Sequence, residues 1–190
     1  MCGFRDSLCV VQRPSIEVGI STAFGCSLEG PVSEDWVIEM AGLLVKAGAD
    51  RIGLSDTTGY ANPSQIKRMF RRLRGEIGEK KMAGAHLHNT RGQGLANVVA
   101  ALDVDVTTFD SSLGGLGGCP FAPGATGNIV TEDLVFMLEA MGLHTGIDLD
   151  TLIATREVLL TGLPDEVIYG NVPEAGLPKG FTYASGRNIL

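Results

Sequence analysis

Three observations on the 190-residue sequence predict an α/β fold built on a parallel sheet. Apolar runs of strand character alternate with amphipathic runs at helical spacing, the connections are short, and polar residues gather just after the C-terminal ends of the apolar runs. Two architectures satisfy this pattern: an open doubly wound sheet, or part of a (β/α)8 barrel, since four strand-helix units are half of what a barrel needs. No GxGxxG follows the first strand and no GxxxxGK(S/T) occurs anywhere, which removes the main support for nucleotide binding of the open-sheet kind.

The elements follow in order. Residues 16–24 read as a strand. Ser33, three residues before Trp36, caps a helix with an apolar face of Val37, Met40, Ala41, Leu44 and Val45, and Gly48 ends it. Residues 50–55 form a second strand, Asn62-Pro63 opens a helix to about Leu73, and residues 82–88 form a third strand. A third helix is expected over 92–102 and a fourth strand over 104–110. After a glycine-rich segment, residues 131–141 make a fourth helix, with Thr131 as its expected cap and Glu132 and Asp133 favouring the positive end of its dipole.

With 44% apolar residues the chain can bury a substantial core as one domain. Its formal net charge of −7 argues against a nucleic-acid partner, because such binding depends on clustered Lys and Arg. No apolar run approaches the roughly 20 residues that span a bilayer, and the first residues lack a long apolar signal core. No membrane association is therefore expected, and the default compartment is cytoplasmic. The one basic cluster, Lys67, Arg68, Arg71, Arg72 and Arg74, is either a solvated helix face or a contact for an anionic ligand or partner. Cys2, Cys9, Cys26 and Cys119 show no CxxC pair, and a disulfide framework is not expected.

The densest signal is residues 114–128, which hold six glycines, two prolines, Cys119 and Asn128 between a strand and a helix. Such backbone permissiveness serves close approach to a ligand or positive φ. A thiol in a glycine-rich loop is poorly placed to be a packed core cysteine, which favours a reactive or proton-transferring role for Cys119. His86 and His88, two apart on a strand, point to one face and can converge on one metal ion, or they are two histidines satisfied by hydrogen bonds. Asn128 either caps the helix that follows or offers a neutral oxygen to a divalent cation. Asp56 either caps a turn or orients a ligand or a histidine. Glu29 also falls after a strand, and His144 reads as an exposed helix-terminal histidine.

Four ordered stretches together resemble the hydroxymethylglutaryl-CoA lyase family. They are Gly115 to Asn128 continued by Thr131-Glu132-Asp133-Leu134-Val135; Ser21 to Cys26 with Glu29-Gly30; Ser55-Asp56-Thr57-Thr58-Gly59; and His86 to Asn97. The resemblance implies a TIM (β/α)8 barrel with a bound magnesium or manganese ion, in which His86, His88 and Asn128 are metal ligands. It also implies that Cys119 is the catalytic-loop thiol and Asp56 the acidic residue after the sixth strand. The implied reaction cleaves a branched hydroxyacyl-CoA to acetyl-CoA and a keto acid such as acetoacetate. A related aldolase or acyl-CoA condensing enzyme is the alternative, although such synthases share HxHN without the cysteine-proline glycine loop.

That family's barrel begins with an Arg-Asp strand and further units that have no counterpart here, and Arg5-Asp6 resembles it only by accident. The chain is therefore read as strands five to eight plus C-terminal helices: a divergent segment over 1–15, a partial barrel over 16–162 and a tail over 163–190. Such a half is expected to leave two open sheet edges and an exposed apolar inner face. It would then form a homo-oligomer, associate with a missing N-terminal half, or persist as a non-catalytic remnant.

Overall fold

The computed structural model describes residues 14–121, 124 and 126–186, so Cys2, Cys9 and the Arg5-Asp6 pair lie outside the described residues. Strands β1 (Glu17–Ile20), β2 (Arg51–Asp56), β3 (Met82–Leu87) and β4 (Phe109–Asp110) form one sheet. Every pairing is parallel and the spatial order is the chain order. A doubly wound sheet reverses its order at a switch point, and this sheet has none, so the sequential arrangement is that of half an eight-stranded barrel.

Helices α1 (Glu34–Lys46), α2 (Pro63–Ile77) and α3 (Gly94–Leu102) follow the first three strands, and α4 (Thr131–Ala140) follows β4. Side chains fix two of the starts: Ser33 Oγ accepts the Trp36 N–H at 3.3 Å, and Asn62 Oδ1 accepts that of Gln65 at 3.0 Å. The start of α4 differs from expectation. Val130 is the cap residue, and Thr131 lies inside the first turn, its hydroxyl donating to Ser111 Oγ at 2.9 Å.

Two strands are shorter than their apolar runs. β1 stops at Ile20 because Thr22 turns the chain at φ 52°. Of residues 104–110 only Phe109–Asp110 join the ladder. The N–H groups of Val104 and Val106 both bond Ala101 O at 3.0 Å, with Asp105 at φ 60° between them, so this apolar pair finishes α3 instead of starting a strand.

Alternation along the strands sends Ile20, Ile52, Leu54, Ala85 and Leu87 toward the helices, where they join Val37, Ile66, Phe70 and Val98 in one buried cluster. Burying each large side chain of this kind contributes about 1.5–3 kcal/mol. The opposite face carries Glu17, Gly19, Arg51, Gly53, Ser55 and His86, and a register shift between β2 and β3 brings Ala83 beside Gly53 on the same side. The expectation of an apolar inner face is therefore corrected: it holds small residues and a Glu17–Arg51 ion pair at 3.5 Å.

The basic run of α2 is taken up by neighbouring elements. Arg68 and Arg72 pair with Glu34 of α1, Lys67 meets Asp103 at 2.6 Å, and Arg74 pairs with Glu79. Pairs of this exposure contribute little each, but they commit Lys67, Arg68, Arg72 and Arg74 to neighbouring elements, while Arg71 stays on the exposed face. Beyond α4, α5 (Leu149–Gly162) and α6 (Val172–Ala175) complete the chain, and Val135 and Leu149 pack with Phe181 and Tyr183 in a second cluster. Among the described residues no helix is long and apolar enough to cross a membrane.

Candidate active site

The site gathers at the C-terminal edge of the sheet, where β3 runs out through His86 and Leu87 into His88. Beyond the strand the chain pairs with the end of the glycine loop. Asn89 N–H donates to Gly127 O and Ile129 N–H to Leu87 O, both at 3.0 Å, and His88 and Asn128 form an antiparallel bridge. The two halves of the sequence motif pattern are thereby held side by side.

The imidazoles of His86 and His88 converge, with Nε2 atoms 3.2 Å apart. His86 Nδ1 lies 3.2 Å from Asp110 Oδ2, and β4 places Asp110 in register beside it. With the His86 proton on Nδ1 for Asp110 to accept, the His86 Nε2 lone pair is directed at its neighbour. His88 is 5% exposed, and burial followed by the charge of His86 pushes its pKa down to about 4. Its ring stays neutral, the form that ligates metals, over the physiological range.

Asn128 contributes both ends of its amide. Nδ2 donates to Leu116 O at 2.7 Å, which leaves Oδ1 as the buried oxygen, and that atom has no partner. A buried acceptor without a donor costs about 1–3 kcal/mol unless something unseen satisfies it. These atoms fit a divalent cation. Two ligands at about 2.1 Å from one ion sit roughly 3.0 Å apart in an octahedron and roughly 3.4 Å apart in a tetrahedron. The observed spacing falls between, with an orphaned hard oxygen alongside. Among the described residues no cluster of three His, Cys, Asp or Glu forms, so the candidate donors are two imidazoles and an amide oxygen.

The glycine loop needs its glycines where it closes. Gly127 has φ 97°, and a Cβ there would lie 2.1 Å from Gly115 O. Ser112 Oγ donates to Leu116 O at 2.6 Å, and Ser27 Oγ, in the loop after β1, donates to Phe121 O at 2.8 Å. Cys119 sits in this closed loop as a half-buried free thiol. Ala122, Pro123 and Ala125 of the same motif lie outside the described residues.

Asp56 ends β2 at 1% exposure. Its Oδ1 accepts the N–H groups of Tyr60 at 2.8 Å and Ala61 at 3.1 Å, while Oδ2 is buried without a partner. Burial raises its pKa against the opposing pull of those two amides and of Arg91. The turn-capping reading and a chemical role are thus carried by different oxygens of one carboxyl. Asp56→Asn keeps the Oδ1 acceptor, whereas Asp56→Ala strands two amides at a cost of about 1–3 kcal/mol. Urea denaturation should show Ala clearly destabilised and Asn close to the parent. Because the folded pKa lies above 3.8, the folded state holds its proton longer than the unfolded one. Parent stability therefore falls as pH rises through that window, and Asn should gain on it over the same range.

Glu29 is exposed, and His144 is 60% exposed beside Glu139 at 3.5 Å, as a helix-terminal histidine. Three residues at or near the site had no site role assigned from sequence. Asp110 could have been found, since it is the polar end of an apolar run. Glu132, read as a dipole charge, is 0% exposed: it accepts the Gly114 N–H at 3.1 Å and pairs with Arg156 at 3.1 Å. Arg156 in turn donates to Tyr169 O at 2.7 Å, tying the root of the glycine loop to the C-terminal segment. No local pattern announces that pair.

A match to the HMGL-like family covers residues 10–159. The chain is 47% identical over 142 residues to the (R)-citramalyl-CoA lyase of Chloroflexus aurantiacus, covering 75% of this chain and 44% of that protein. It is 44% identical to a hydroxymethylglutaryl-CoA lyase of Bacillus subtilis, covering 73% and 46%. Among solved structures, an HMG-CoA lyase from Acinetobacter baumannii in complex with coenzyme A and 3-methylmalate superposes with a TM-score of 0.79 at 46% identity, over 84% of this chain and 52% of that one. The chain spans about half the length of the relatives it matches.

Proposed function

The chain belongs to the HMGL-like family, and from that premise we propose that it carries the cation-binding and proton-transfer half of a carbon-carbon lyase acting on hydroxymethylglutaryl-CoA or a similar hydroxyacyl-CoA. The observation that carries the reading is the convergence of the His86 and His88 Nε2 atoms, with the orphaned Asn128 Oδ1 on the same edge as the Cys119 loop.

His86, His88 and Asn128 would hold magnesium or manganese, which supplies Lewis acidity toward the substrate's hydroxyl and carbonyl oxygens. Asp110 fixes the His86 ring and keeps its lone pair aimed inward. Asp56, whose pKa burial raises above the ordinary carboxylate value, is the proposed acceptor of the hydroxyl proton. The carbon-carbon bond then breaks. Its electron pair passes to the thioester enolate, the former hydroxyl carbon becomes the ketone of acetoacetate, and the Cys119 thiol delivers a proton to the enolate carbon to give acetyl-CoA. The closed glycine loop excludes water while that enolate exists.

Three neutral donors bind a divalent ion weakly, which makes turnover by this chain alone slow. The same observation favours a second reading, a half barrel that holds a cation without turnover. The proposed compartment is the cytoplasm. The proposed association is with a second copy or with a complementary half.

Incubation with Mg2+ or Mn2+ and hydroxymethylglutaryl-CoA should release acetoacetate slowly. Release should be lost in His86→Ala and fall about 10²–10⁴-fold in Cys119→Ala. Release that survives both changes overturns the site, and cation binding by calorimetry with no release selects the second reading. A parent rate unchanged in Asp56→Asn removes Asp56 from the chemistry.

A further inference from the structure

We propose that residues 168–172 of the C-terminal segment clamp both roots of the glycine loop, and that Arg156 is the positioning residue through which this clamp holds Cys119 in place. The proposal rests on the lyase reading above, since it concerns the same loop, but its test needs neither cation nor substrate.

Gly114 opens the loop at φ 60° within the short turn Leu113–Gly115, and both of its backbone polar groups are held from outside the loop. Its N–H donates to the two oxygens of Glu132, at 3.2 and 3.1 Å, and its carbonyl accepts the Tyr169 N–H at 2.8 Å. Its bare α-carbon is covered by Ile168, because a Cβ there would lie 2.1 Å from Ile168 Cγ2. A buried backbone unit paired in this way is placed by its distant partners and not by the loop that it begins.

The clamp is itself seated by two adjacent acids of the first turn of α4. Arg156 Nη1 donates to Glu132 Oε1 at 3.1 Å and to Tyr169 O at 2.7 Å, while Nη2 reaches Ile168 O at 3.4 Å. A planar guanidinium serves these three acceptors in fixed directions, which a lysine ammonium on a flexible stem does not. Past Gly170, Asp133 takes over and accepts the N–H groups of Asn171 at 2.9 Å and Val172 at 2.7 Å. The same segment meets the far root of the loop. A Cβ on Gly115 would lie 3.1 Å from Asn128 O and 3.7 Å from Tyr169 Cβ, and Tyr169, Gly170 and Asn171 wall a cavity of about 160 Å³ with Thr126 and Asn128. The family match ends at residue 159, short of this segment.

Iodoacetamide labelling of the metal-free protein tests this, with the Cys119 peptide quantified by mass spectrometry against the Cys26 peptide. Ile168→Ala uncovers Gly114, and Arg156→Lys leaves a charge for Glu132 without the fork that holds the two carbonyls. Each should label Cys119 about tenfold faster than the parent, with unchanged circular dichroism. Asn171→Ala keeps both backbone bonds to Asp133 and should label at the parent rate. Val37→Ala in α1, at a core position 2% exposed, loses stability without touching the clamp and should do the same. Parent-like labelling in both Ile168→Ala and Arg156→Lys overturns the clamp. Labelling in Val37→Ala as fast as in those two also overturns it, because the rate then reports global stability. Failure of the lyase reading shows separately, as absence of acetoacetate release from the parent, and does not alter the labelling pattern.

Discussion

Replacing Arg156 by leucine should destabilise the protein by about 3–5 kcal/mol, the largest single effect expected on its folding. Arg156 is 6% exposed and Glu132 0% exposed, and their contact at 3.1 Å lies 24 residues apart in sequence. Without the guanidinium, the Glu132 carboxylate keeps only the Gly114 N–H as a partner, and the carbonyls of Ile168 and Tyr169 lose their donor. Unfolding by urea at neutral pH measures the loss. Adding Glu132→Gln should recover much of the stability, and a double variant as unstable as Arg156→Leu alone would show that the damage lies elsewhere.

Gly127→Ala should abolish cation binding while leaving the fold standing. The residue has φ 97°, outside the range that L side chains adopt comfortably, and the added Cβ would lie 2.1 Å from Gly115 O. Backbone must move, and the backbone that moves carries Asn128. Calorimetric affinity for Mn2+ should fall at least tenfold, with alkylation of Cys119 faster as the loop opens and little change in helical circular dichroism. Gly124→Ala is the control. It also has positive φ, 70°, but a Cβ there meets nothing within 4 Å, so it carries backbone strain alone and should leave cation affinity close to the parent's.

The α/β units and their order were legible because hydrophobic period and cap chemistry act locally. Ser33 and Asn62 cap their helices through their own side chains, and one residue suffices to say so. What went astray depended on neighbours far along the chain or on backbone sign. Val104 and Val106 alternate like a strand, yet Asp105 at φ 60° folds them back on α3. Thr131 has the chemistry of a cap, yet the chain enters α4 one residue earlier and its hydroxyl finds Ser111. At the site, the spacing of His86 and His88 predicts their convergence, because period two on a strand is geometry. Asp110 joins them through strand register, and Glu132 meets Arg156 through tertiary folding; neither relation is written in a local pattern. The polar, glycine-built inner face was missed for a simpler reason. Glycine carries no hydrophobic signal, so inward positions that are empty of side chain read as neutral.

The Asn128 amide joins two equilibria. Its nitrogen is hydrogen-bonded to Leu116 O within the closed loop, and its oxygen is the atom left for a cation. Opening the loop releases the nitrogen and lets the oxygen swing away, so cation affinity and loop closure are linked, and linkage is reciprocal. A cation held at Asn128 must favour the closed loop by the same factor by which closure favours the cation. With a cation at the proposed site, its occupancy would thereby set how far the half-buried Cys119 is covered by the loop, and the Asn128 side chain would carry the coupling between the two.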